Sequence, residues 1–296
     1  MPDRLEPVRS LIPLLLLLPW AVTSRSQPLP PAPAALTPAQ AQALVGRALA
    51  TELRASQDQS HPMRYRLRRS SPRLTTTKEI VETHDGDVAR LVLIGDQPLS
   101  QADEQKEQAR LDGLLSDPSR QRHRKQSEEE DTSIILKLLR MLPQAFLYDY
   151  EGTGAASSGI VEKFRFRPNP SFRSPDFESQ ALTAMTGELW IDAAQERVAR
   201  LEGHLQQDTD YGWGILGRLD KGGWIVLDQA DVGGRQWRIV RFQMKINLRV
   251  LFKTRSFDTV QEMTRYAPVP DGLDYRQAIQ MLRSGSGSGG TAKASR

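Results

Sequence analysis

Apolar and polar residues alternate with a period of two through most of this chain, and with a period of three to four in three places. The first of those three follows Thr37 and Pro38, where Leu44, Val45, Ala48, Leu49 and Leu53 share one helical face. Thr37 as cap and Pro38 in the first turn predict where that helix starts. The period then changes to two. Residues 63–69, 73–83 and 87–94 read as strands, the last two joined by a turn at Asp85 and Gly86, because an Asp-Gly pair between apolar runs favours a tight hairpin. Helical spacing returns from Ser100 to Leu115 and from Thr132 to Leu142, the latter with Ile135, Leu138, Leu139 and Leu142 on one face.

Between those two helices lies a block of charge. Arg120, Arg122, Arg124 and Lys125 are followed by Glu128, Glu129, Glu130 and Asp131, and the block holds almost nothing to bury. Residues 117–131 are therefore expected to be a mobile, solvated loop. From Phe146 onward the pattern is almost wholly that of strands. Phe164 and Phe166 alternate with charged residues, as do Leu189 and Ile191. Residues 224–229 and 236–253 form a hairpin around Asp231, Gly233 and Gly234, and its second strand sets Val240, Phe242, Met244, Ile246, Leu248, Val250 and Phe252 on one face. A last strand is expected near residues 257–266 and a flexible Gly/Ser-rich tail from Ser284.

Ten or eleven strands joined mostly by hairpins, with three helices, predict an α+β fold: a curved antiparallel half-barrel whose helices cover the concave face. Where cover and sheet do not meet, an apolar cavity remains, and such cavities take ligands.

The N-terminus carries an address. Arg4 and Arg9 precede an apolar run from Leu11 to Val22, and Ala21, Thr23, Ser24 and Ser26 supply small residues after it. That is the layout of a secretory signal peptide, here residues 1–26, followed by a Pro-rich spacer at 27–35. The run is too short and too rich in proline to cross a bilayer as a helix.

Composition narrows the chemistry. The 296 residues contain no cysteine, which excludes disulfides, thiolate metal sites and cysteine nucleophiles. Net charge is +4, and Arg64, Arg66 and Arg68 alternate with Met63, Tyr65 and Leu67. An exported chain does not meet nucleic acid, so this arginine face reads as the solvated side of a strand that could receive anionic headgroups or an acidic partner. The four histidines lack zinc-ligand spacing, and Gly152, Gly154 and Gly159 lack the helix a dinucleotide loop requires. Asp208 and Asp210 beside Tyr211 and Trp213 offer a paired-carboxylate arrangement, although close aspartates in a Gly-rich loop form turns more often than catalytic pairs. No metal, no cofactor and no enzyme activity are expected.

The order of elements resembles the lipoprotein-carrier fold of bacterial envelopes shared by LolA, LolB and RseB. The resemblance rests on the leading helix, the early hairpin, the inserted helices, the run Gly187-Glu188-Leu189-Trp190-Ile191-Asp192, the strand from Arg197 to Leu205, and the long strand ending at residues 249–255. It covers residues 36–268 and leaves 269–296 as a C-terminal extension; no binding residue of that family is carried over to a position here. It implies a periplasmic protein that shelters an acyl chain, of a lipid or a lipidated protein, with only peripheral or transient membrane contact. Phe164, Phe166, Leu189, Ile191, Phe242, Met244, Ile246 and Leu248 are the candidate cavity wall, Leu139 and Leu142 the apolar side of a helical lid. The rival reading is an envelope interaction or sensor protein with a filled core that binds a protein partner through residues 117–131.

Overall fold

The computed structural model describes residues 36–58, 60–156, 159–211, 217–250 and 253–284. The signal peptide and spacer expected at 1–35 and the tail at 285–296 lie outside them. The chain opens with helix α1 (Pro38–Ala55), whose start is a reciprocal capping box: the Thr37 hydroxyl accepts the Gln40 backbone N–H at 3.3 Å and the Gln40 side chain accepts that of Thr37 at 2.9 Å. Strands β1 (Met63–Ser70), β2 (Thr75–Val81), β3 (Val88–Ile94) and β4 (Gln97–Pro98) form a meander. Gly86 takes a positive φ of 92° in the β2–β3 turn, as the Asp-Gly pair predicts.

Helices α2 (Gln101–Ser116) and α3 (Pro118–Ala145) come next, then β5 (Phe146–Ala156), β6 (Gly159–Pro168), the short α4 (Phe177–Gln180) and a 3₁₀ turn at Ala181–Ala184. The remaining strands are β7 (Met185–Asp192), β8 (Arg197–Leu205), β9 (Thr209–Tyr211), β10 (Gly217–Leu219), β11 (Trp224–Asp231), β12 (Trp237–Val250) and β13 (Lys253–Pro268), closed by helix α5 (Tyr275–Ser284). All pairings are antiparallel, and the sheet runs β4-β3-β2-β1-β13-β12-β11-β8-β7-β6-β5 without closing. The fold class is the expected one, an α+β architecture on a curved antiparallel sheet.

Two segments differ from expectation. Residues 117–131 are not a loop: they form the first half of α3, with Asp117 as cap and Pro118 in the first position. Arg, Lys, Gln and Glu are good helix formers, and the opposite charges fall four apart, pairing Arg124 with Glu128 at 3.7 Å and Lys125 with Glu129 at 3.8 Å. This half of α3 is anchored. Buried Gln121 donates to the carbonyls of Asp85 and Gly86, and Arg124 and Lys125 donate to those of Asp87 and His84. The second difference is that residues 269–296 include α5, whose Tyr275, Ala278, Ile279 and Leu282 are buried with Val81, Val88, Leu111 and Leu114.

A larger core gathers α1, the last turns of α3 and strands β5 to β8. Phe146, Phe164, Phe166, Leu189, Ile191 and Val198 pack there against Ala41, Leu44, Val45, Ala48 and Leu49. Gly187 permits the close approach, since a Cβ on it would sit 1.8 Å from the Glu202 carbonyl oxygen and 2.7 Å from the Phe166 ring. One ion pair locks α1 to the sheet. Glu52 and Arg197, each with a side chain 11% exposed, meet at 2.8 and 3.0 Å, and Glu52 also accepts the Val198 N–H. Breaking such a pair by removing one partner typically costs about 3–5 kcal/mol.

Candidate functional site

Register puts Phe164, Leu189, Leu201, Leu227 and Phe242 directly opposite one another across β6, β7, β8, β11 and β12. This row lies on the α1 face. Side chains point to alternate faces of a strand, so the residues next along must form a second row on the other side. They do: Trp190, Arg200, Asp228, Arg241, Glu262, Arg68, Thr77 and Leu93 are successive cross-strand partners from β7 to β3.

All eight line one cavity of about 830 Å³, together with Arg66, Asp96, Ala156, Ala199, Gln229, Val240, Met263, Thr264 and Arg265.

The cavity has an apolar part and a charged part. Leu93, Ala156, Trp190, Ala199, Val240 and Met263 supply the first. Trp190 stands between two cations, Lys163 Nζ 4.0 Å and the Arg200 guanidinium 5.4 Å from its ring centre, and donates to Glu188 at 3.0 Å. The charged part holds five arginines against three carboxylates. Arg200 pairs with Asp228 and Glu202, each at 2.7 Å; Arg68 pairs with Asp96 at 2.7 Å and Glu262 at 3.3 Å; Arg66 pairs with Glu79 at 2.8 Å. The hydrogen bond to Asp96, above all, holds Arg68 firmly in its protonated form.

The expected site residues divide between the two faces. Arg66 and Arg68 line the cavity; Arg64 stands beside them in β1, 3.9 Å from Glu79. Phe164, Phe166, Leu189 and Ile191 are fully buried in the α1 core, where Leu139 and Leu142 pack against them. Phe242 and Met244 are half-buried and lie on the α1 face by register, with Ile246 and Leu248 further along the same alternation. None of these ten apolar residues lines the cavity. The helix expected as a lid has its last turns on the opposite side of the sheet. Asp208 and Asp210 are both held by Arg218, at 3.4 and 2.5 Å, in the manner of a turn fastened by charge.

Sequence reasoning missed Thr77, Trp190, Arg200, Arg241 and Arg265. The signal for four of them was present, since each occupies the polar phase of an alternation. Arg265 was not legible. It follows Thr264 where β13 slips register against Arg64 and Arg66 of β1, and its φ of 59° is one that L-residues rarely adopt. A bulge of this kind re-aims a side chain, and here an additional arginine joins the wall.

No protein-family model matches the chain, and no curated protein matches it. A crystal structure of a domain from Vibrio parahaemolyticus, provisionally described as an outer membrane lipoprotein-sorting protein domain, matches over 80% of this chain and 97% of its own. Identity is 10% and the TM-score 0.28, a likeness too slight to carry an argument about function. Among the described residues no helix is long and apolar enough to cross a membrane, and no group of histidine and acidic side chains is placed to hold a metal ion.

Proposed function

We propose that this is an exported envelope protein that shelters a hydrophobic ligand, a lipid or the acyl chain of a lipidated protein, without covalent chemistry. The observation that carries this reading is the cavity on the Trp190 face. Its volume of about 830 Å³ falls within the roughly 300–1,000 Å³ usual for small-molecule sites, and Leu93, Ala156, Ala199, Val240 and Met263 offer it a dry wall. Each CH₂ moved there from water is worth about 0.8 kcal/mol, so one acyl chain could reach micromolar affinity after ordering costs.

Export rests on the N-terminal pattern of Arg4, Arg9 and the apolar run Leu11 to Val22. The periplasm of a two-membrane bacterium is the compartment this implies, with transient rather than spanning membrane contact. Native mass spectrometry of the mature protein purified from the envelope tests the reading. A folded chain carrying an added mass in the lipid range is the expected result, and a folded chain that is uniformly bare would overturn it.

The rival reading, a partner-binding protein, has one observation in its favour: Ile134 and Ile135 of α3 are exposed just after the acidic block. Deletion of 117–131 cannot separate the two readings, because it would remove the anchored half of a helix. Replacing Ile134 and Ile135 with serine can, since a carrier keeps its ligand and a docking protein loses its partner.

A further inference from the structure

The cavity wall contains more positive charge than its own carboxylates satisfy, and it contains buried polar atoms with nothing to bond. Each of its acids is already engaged: Asp96 and Glu262 by Arg68, Asp228 by Arg200. Arg241 lies between Asp228 and Glu262 in the cross-strand row, yet no carboxylate among the described residues comes within ion-pair distance of its guanidinium or of that of Arg265. Both side chains are exposed.

Thr77 is different. It is 2% exposed and lines the cavity, and its Oγ1 has no hydrogen-bond partner. Arg66 Nε, in the neighbouring strand, is likewise buried without a partner. A buried hydroxyl left unpaired is costly, which is why such groups are nearly always bonded to protein, water or ligand. Opposite Thr77, Arg68 continues the same row. An oxyanion placed here would receive hydrogen bonds from the Thr77 hydroxyl and Arg66 Nε, with the surplus charge of Arg241 and Arg265 farther along the same wall beyond Arg68 and Glu262, while Trp190, Ala199 and Val240 remain free to contact an apolar body.

We propose that the cavity is selective for an acidic amphiphile: it takes a carboxylate or phosphate head at the Thr77–Arg66 end and a hydrocarbon tail along the Trp190–Val240 wall. This rests on the carrier reading and names the ligand class of the same site. An uncharged tail alone would leave the buried Thr77 hydroxyl and Arg66 Nε unpaired. A free oxyanion alone would leave the apolar wall unused.

Isothermal titration at pH 7.5 and low salt, on delipidated full-length mature protein, separates these cases with three probes: dodecanoate, dodecan-1-ol and inorganic phosphate. Dodecanoate is expected to bind at least tenfold more tightly than dodecan-1-ol and also more tightly than inorganic phosphate. The double variant R241Q/R265Q should lower dodecanoate affinity about tenfold and leave dodecan-1-ol unchanged. T77V should weaken dodecanoate severalfold, with the melting temperature of each variant reporting that it is folded. Equal affinity for the acid and the alcohol would overturn the acidic-head assignment and leave the carrier reading standing. Phosphate binding as tight as that of dodecanoate would overturn the amphiphile and make this a free-oxyanion site. Failure of every probe to bind would overturn both readings.

Discussion

Leu189 and Ile191 are 1% and 0% exposed, packed under α1, whereas Trp190 between them lines an open cavity. The same strand thus builds a solid core on one side and a wall on the other. The contrast extends across the sheet, as the leucine and phenylalanine row from Phe164 to Phe242 is backed by the mixed row from Trp190 to Leu93. Period-two alternation distinguishes apolar positions from polar ones. It does not say which side is full. Here the apolar residues of β6 to β8 are packed under helices, and the row that reads as solvated lines the room.

The contrast can be broken first by truncation. Phe164→Ala should cost about 3–5 kcal/mol, the usual loss for a fully buried aromatic, while Trp190→Ala, on the open face, should cost roughly half of that or less. Urea denaturation of both variants checks the difference, and equal losses would mean that the Trp190 face is packed as tightly as the other.

A smaller effect concerns the β2–β3 turn where α3 covers it. Burial first, and then the nearby carboxylates of Glu82 and Glu128, push Asp87 up to about 7 against the opposing pull of Arg124. The folded state therefore holds this proton more tightly than the unfolded chain, so stability from this group is present at acid pH and is lost as pH rises through about 4 to 7. Asp87→Asn should flatten that fall and raise stability at pH 8 by on the order of 1 kcal/mol, about 2–4 °C in melting temperature for a chain of this size. Melts of both proteins between pH 5 and pH 8 measure it, and parallel curves would refute the assignment.

Much of the fold was legible. The Thr37-Pro38 start, the Asp85-Gly86 turn and the long alternation of β12 each carry a local cause, and each is found where that cause places it. The two misread segments also had local signals, namely Asp117-Pro118 before α3 and the i, i+3, i+4, i+7 spacing of Tyr275, Ala278, Ile279 and Leu282 in α5. Asp274 and Gln277 even form a reciprocal cap there. Charge balance in the first and brevity in the second obscured them. The cavity is another matter. Its walls come from strands distant in sequence, cross-strand register decides which residues share them, and a register slip at Thr264 delivers Arg265. None of these is a property of any short window of sequence.

The central claim is that the ligand lies against the Trp190 face and not under α1. Val240 lines the cavity, although it shares the even-numbered alternation of Met244, because β12 carries it as an extra residue where Asp228 and Gln229 pair with Arg241 and Ile239. Met244, four residues along, lies on the α1 face by register. Native mass spectrometry of folded Val240→Asp and Met244→Asp proteins, each purified from the envelope, compares the two directly. The account predicts that Val240→Asp loses the bound lipid mass and Met244→Asp keeps it, and the reverse result would contradict it.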